Sequence, residues 1–318
     1  MAILMTDQQK DELNDRGFII LENVLAADEV DTISQAIDEV VARVREARDL
    51  PDNVALGIRN GLVYHDEILN LLDRPDILSM VVDVMGWNIH NRDSIVIVTM
   101  PQGPDDDPDQ MPLGWHFDYE EEFAGSTVDG TMPIIDFKVG WYISDHSEPG
   151  HSTTLVVPGS YKWTPRQRAT WEQWIDPDDI VSIDVPAGSA MLWRPTLLHG
   201  VTPNLTQNIR KTVQVSYTPR WIRPSGHIEQ DPDLIARSSP VRRQLLGAMG
   251  NLMNPLGKDV ANNPNSQYWF TDDWDNVPLK AWAEQRAAPG PPDWGTGHGV
   301  SHTKGPGFKF TQRTVPRK

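Results

Sequence analysis

The sequence predicts a mainly β domain, a sandwich or barrel, with helices flanking it. Three observations lead there. From Ser94 onward, β-rich runs recur roughly every 8–12 residues, each closed by a Gly- or Pro-containing turn. Lys211 to Tyr217 alternates cleanly, as a strand with one buried face must. The first ninety residues carry helical periodicity instead. No internal repeat is visible, and 318 residues suit a single decorated domain. The expected layout is a helical buttress over 1–90, a β core over 91–222 and a helical, then irregular, extension over 223–318.

Thr6 is placed to cap a short helix through Arg16, and Gly17 stops it before the extended Phe18-Ile19-Ile20-Leu21. From Asp28 to Arg48, Val30, Ile33, Ile37, Val40 and Val44 fall at helical spacing, with acids early and arginines late. Shorter helices are predicted over His65–Leu72 and Asp76–Met85, the latter ended by Gly86. Nothing in these ninety residues reads as chemical. Strands follow at Ser94–Thr99, around His116, and at Ile134–Ser144, Thr154–Val157, Ile180–Val185, Ala190–Trp193, Leu197–Val201 and Lys211–Tyr217. A helical insert is predicted around Pro165–Trp174, with later helices at Val241–Met249 and Leu279–Ala287. The acidic run Asp105 to Asp109, the segment after Glu120-Glu121-Glu122 and the Gly/Pro-rich tail from Pro289 read as loops, the second a mobile one beside the site.

Composition limits the partners. Forty-five acidic residues against 28 basic ones give a net charge of −17 with no basic run, which argues against nucleic acid and anionic membranes. The absence of cysteine excludes disulfides, thiolate metal sites and cysteine nucleophiles. No run of about 18 apolar residues is present to cross a bilayer. The opening residues show no basic stretch followed by an apolar one, so a cytoplasmic protein is expected. Oligomeric state is not legible.

Chemistry concentrates at His116-Phe117-Asp118. Two residues apart on a strand, His116 and Asp118 point to the same side. With His199 from a facing strand they would put two imidazoles and a carboxylate on one side of a metal. Such a set leaves three adjacent positions open, the facial triad of non-haem Fe(II) sites. Arg210 offers an always-charged fork for a co-substrate carboxylate. A lone His-x-Asp is expected about once by chance in a chain of this composition, and the pair gains weight only from its β context. His146 and His151 flank a turn and form a weaker, accessory metal pair. His65 and His90 read as satisfied structural groups, and His227, His298 and His302 as loop residues.

The combination His116-x-Asp118, His199 and Arg210, with the arginine eleven residues after the second histidine, resembles the phytanoyl-CoA dioxygenase family of Fe(II)/2-oxoglutarate oxygenases. Pro158-Gly159-Ser160-Tyr161 resembles the family's Pro-Gly-Ser-His turn, and Pro186-Ala187-Gly188-Ser189 its turn before the second histidine. Gly17-Phe18-Ile19-Ile20 resembles its N-terminal strand, so the likeness covers about residues 10 to 222. It implies a double-stranded β-helix, or jelly roll, buttressed by helices. It implies Fe(II) on His116, Asp118 and His199, with 2-oxoglutarate and O2 as co-substrates and Arg210 on the 2-oxoglutarate tail. By the same likeness Trp141, and less directly Thr99, line the 2-oxoglutarate pocket. A small organic substrate, an intermediate of natural-product biosynthesis, is then hydroxylated, desaturated or cyclised, with release of succinate and CO2. The carboxylate at Asp118 argues against halogenation, since related halogenases carry a small residue there. Phe117 for Gln, Tyr161 for His and Met100 for a polar contact depart from the family pattern and point to a different substrate pocket. The competing readings are a jelly-roll metal- or ligand-binding protein without redox chemistry and a metal-dependent hydrolase or isomerase on a cupin-like barrel.

Overall fold

A computed structural model describes residues 4–103, 113–118, 134–148, 150–248 and 277–286. The acidic run, the segment after Glu120 and the tail from Pro289 lie outside the described residues.

Helix α1, Asp7–Arg16, starts at Thr6, whose hydroxyl accepts from Gln9 N while the Gln9 side chain answers the Thr6 N–H. Gly17 ends it at φ +93, a left-handed cap; a Cβ there would also meet Tyr161 at 2.8 Å. Strand β1, Phe18–Leu21, follows directly. Helix α2, Ala27–Arg48, buries Ile33, Ile37 and Val40 at the predicted spacing. Helices α3, Asp66–Leu69, and α4, Pro75–Met85, complete the N-terminal set. Between α2 and α3, β2, Leu56–Arg59, is a strand where no element was predicted; its four residues are too short to show a period.

The remaining strands are β3 Ile89–Thr99, β4 Phe137–Tyr142, β5 Thr154–Val156, β6 Val181–Ser182, β7 Ser189–Trp193, β8 His199–Val201 and β9 Arg210–Pro219. Of the nine strands among the described residues, six form an antiparallel sheet in the order β1-β7-β4-β9-β3-β2. Three form a smaller sheet, β6-β5-β8. The cavity between them is walled by both sheets, the jelly-roll arrangement the resemblance implies. The N-terminal ninety residues are more than a buttress, because β1 and β2 supply both edges of the large sheet.

Alternation divides the large sheet. Val96, Val98, Phe137, Val139, Trp141, Leu192, Val213 and Val215 enter one apolar core with Ile33, Ile37, Ile77 and Val81 of the helices. Helix α5, Pro165–Ala169, lies apart from that layer with Arg168 over the Phe117 ring, whereas α6, Pro232–Arg237, and α7, Pro240–Leu245, add to it. Leu234, Leu245 and Leu279 of α6, α7 and α8 (Pro278–Gln285) join the main cluster. No helix among the described residues is long and apolar enough to cross a membrane.

Candidate active site

His116 does not lie in a full strand. It makes a single antiparallel bridge to His199, with His116 N donating to His199 O at 2.9 Å and His199 N to His116 O at 3.0 Å. Leu113 O accepts from Val201 N at 2.8 Å and Pro195 O from Asp118 N at 3.0 Å, so both ends of the short 113–118 segment are tied to the β7–β8 region. This approach requires Gly200, where a Cβ would stand 2.6 Å from Leu113 O. The predicted His-x-Asp geometry survives because two-residue spacing suffices to turn both side chains the same way.

His116, Asp118 and His199 bring one ligand atom each within 4.8 Å of the others. His116 Nε2 lies 3.6 Å from Asp118 Oδ1, and His199 Nε2 lies 3.9 Å from Oδ2. Each imidazole is oriented from behind. His116 Nδ1 donates to Gly114 O at 2.6 Å and His199 Nδ1 to Leu197 O at 2.8 Å. A carbonyl only accepts, so the proton sits on Nδ1 and the Nε2 lone pair faces the common point. Trp193 packs edge-on against His199, centroids 4.6 Å apart.

Electrostatics favour a cation there. Burial pushes the His199 imidazole down to about 4, so it is a neutral donor at pH 7. The more exposed His116 is raised by the neighbouring Asp118 carboxylate. Burial alone would raise Asp118; the Lys138 ammonium and the two imidazoles instead hold it well below the usual carboxylate range. Two neutral-capable imidazoles and a fixed carboxylate fit Fe(II). Among the described residues this is the one cluster of three or more such donors. His146 and His151 do not make a second. His146 is wholly buried with Nε2 against Ser144 Oγ, and His151 Nδ1 donates to Asp145 O. His90 is a satisfied core group, its Nε2 2.7 Å from Ile222 O.

The triad opens into a cavity of about 750 Å³, within the range of small-molecule sites. Arg210 lies at another part of its wall, 4% exposed. Its Nε has no hydrogen-bond partner among the described residues, and burial lowers the guanidinium to about 10, an effect Tyr142 partly offsets. A buried cation without a counter-ion is expensive, and a ligand carboxylate would complete it. Tyr142, Thr154 and Thr212 line the same wall; Thr212 Oγ1 also has no partner among the described residues, and Tyr142 Oη donates to Thr154 Oγ1 at 3.3 Å.

Two expectations need correction. Trp141 is fully buried in the helix-side core, and its neighbours Gly140 and Tyr142 face the cavity instead. In a strand, one residue of slip reverses the face. Thr99 pairs with Arg210 in register but is not among the described lining residues; its carbonyl accepts from Asn204 Nδ2. Conversely, Lys138, Tyr142, Thr154, Thr212, Gln214 and Arg59 line the cavity without having been singled out. The polar alternation Arg210-x-Thr212-x-Gln214-x-Ser216 was the signal for part of this set. Arg59, paired with Asp93, had none, since its strand was not recognisable.

The model of the phytanoyl-CoA dioxygenase (PhyH) family matches residues 13–212. The chain belongs to that family. The dioxygenase trt7 of Aspergillus terreus is 25% identical over 250 residues, covering 74% of this chain and 81% of its own. Among solved structures, the non-haem α-ketoglutarate-dependent carbocyclase SnoK from nogalamycin biosynthesis superposes with a TM-score of 0.54 at 18% identity, covering 74% of this chain and 91% of SnoK. HygX from Streptomyces hygroscopicus, with nickel and 2-oxoglutarate bound, gives the same score and identity over 74% of this chain and 95% of HygX. At that identity the likeness speaks for the shared fold of this PhyH-family chain.

Proposed function

We propose that the protein is an Fe(II)- and 2-oxoglutarate-dependent dioxygenase in which His116, Asp118 and His199 hold the metal and Arg210 the co-substrate's far carboxylate. The observation that carries the reading is a buried guanidinium, its Nε without a hydrogen-bond partner among the described residues, sharing one cavity with a ready two-His, one-carboxylate set. Neither a bland binding protein nor a hydrolase gives Arg210 a purpose. Fe(II) with 2-oxoglutarate and O2 supplies the oxidation of a substrate C–H bond, with succinate and CO2 released. The chain's own residues fix positions. Gly114 and Leu197 carbonyls aim the imidazoles, Arg210 orients a dicarboxylate by a charge-assisted fork, and Tyr142 with Thr212 offers it further hydrogen bonds.

The substrate is a small organic molecule, an intermediate of natural-product biosynthesis, hydroxylated, desaturated or cyclised near the metal. The family membership and the place of SnoK in nogalamycin biosynthesis support that class. Anaerobic addition of Fe(II) and 2-oxoglutarate should produce the weak visible band of the chelate. Under air, Fe(II)-dependent succinate formation should vanish in Asp118→Ala and His199→Ala. Turnover retained in both variants would reject the triad.

A further inference from the structure

Asp118 has a third neighbour besides the two histidines. Lys138 projects from the cavity face of β4, in the row that pairs with Trp193 on one side and Ser216 on the other. Its ammonium is ion-paired with Asp118 Oδ2, and its Nζ stands 5.4 Å from the Trp193 ring centroid. The Lys138 side chain is only 12% exposed and that of Asp118 18%, so water screens the pair poorly. Asp118 Oδ1, on the His116 side, is the oxygen left for an ion.

Two consequences follow, and both act in one direction. A carboxylate with both oxygens free can grip a metal through the two of them and fill a position that a chelating keto acid needs. An ammonium on Oδ2 opposes that. The lysine also offsets the carboxylate charge of the triad, so a divalent ion alone arrives beside two imidazoles and an acid that is already paired. A dianionic co-substrate brings the missing negative charge with it. We propose that Lys138 is a positioning residue that keeps Asp118 on the metal through one oxygen and makes metal retention conditional on 2-oxoglutarate. The proposal rests on the dioxygenase reading and adds to it a coupling between two ligands, reciprocal by thermodynamic necessity. The rival is that the ammonium merely fills the ion's place and swings to solvent on loading. Its burial beside Trp193 favours retention.

Mn(II) titration of the purified protein, with and without 2-oxoglutarate, read by electron paramagnetic resonance of the free ion, tests this without turnover. In wild type, 2-oxoglutarate should tighten Mn(II) binding. In Lys138→Met, Mn(II) alone should bind more tightly and the tightening by 2-oxoglutarate should shrink by about tenfold, within the ordinary range of coupling. Lys138→Arg, which keeps charge and donor, should restore most of it. Lys138→Gln, of similar length without the charge, gives the same reading should the methionine variant fold poorly. An unchanged ratio in both neutral variants, or weaker binding of Mn(II) alone, overturns the proposal. If Asp118→Ala still loses Mn(II) in that case, the triad reading stands and only the lysine's role falls. Wild type that takes up no Mn(II) overturns both.

Discussion

The two faces of the large sheet use the same strands in the same register and do opposite work. Toward the helices, Val96, Val139, Trp141, Leu192, Val213 and Val215 make a dry core. Toward the small sheet, Lys138, Tyr142, Arg210, Thr212, Gln214 and Ser216 wall a cavity. The first face is closed by apolar packing, with the buried Trp141 Nε1 its one side-chain donor lacking a partner among the described residues. The second holds buried polar atoms that the described chain leaves unpaired, Arg210 Nε and Thr212 Oγ1 among them, and so is complete only with a ligand. Mutations on the two faces should therefore fail in different ways: stability on one, ligand affinity on the other.

The largest effect should come from the cavity side. Asp118→Ala removes the one anionic ligand, and Fe(II)-dependent succinate release should fall to background with the fold intact by circular dichroism. On the core side, Trp141→Ala should cost about 3–5 kcal/mol of unfolding free energy by urea denaturation. Its folded fraction should keep the wild-type KM for 2-oxoglutarate; a large rise would return Trp141 to the pocket. Arg210→Lys replaces a fork with a point charge and should raise that KM about 10- to 100-fold, from the loss of one charge-assisted hydrogen bond of about 1.5–3 kcal/mol. Stability should change little, because the lost partner is a ligand rather than the protein.

The smallest effect is on pH dependence. Burial pushes His90 to about 4 and His146 to about 3, in the latter case with Arg210 adding to it. The unfolded chain takes up these protons near pH 6.5 and the folded chain does not until much lower. Their contribution is thus full above pH 6.5 and is lost as pH falls toward 4, by at most about 1.4 kcal/mol per pH unit for each histidine. Urea midpoints between pH 7 and 5 should show the slope, and His90→Gln should make it shallower.

Much of this was legible along the chain. Thr6, Gln9 and Gly17 bound α1 by local chemistry alone, and the spacing of Ile33, Ile37 and Val40 set the buried side of α2. His116, Asp118, His199 and Arg210 carried their pattern in residue type and separation. Trp141 shows the limit: its strand was found, but a period of two gives no phase, and which parity faces the cavity depends on how the sheet packs. Arg59 shows another, because β2 is stabilised by pairing with β3 and not by its own four residues.

The sequence by itself determined which elements form and which residue types are available to bind a metal and a dicarboxylate, since caps, periods and donor chemistry are local properties. Only the tertiary structure decided that Lys138 meets Asp118, that Tyr142 rather than Trp141 faces the cavity, and that Arg210 is buried with no counter-ion among the described residues. Those facts depend on distances between segments far apart in the chain. They are set when the two sheets close on one another.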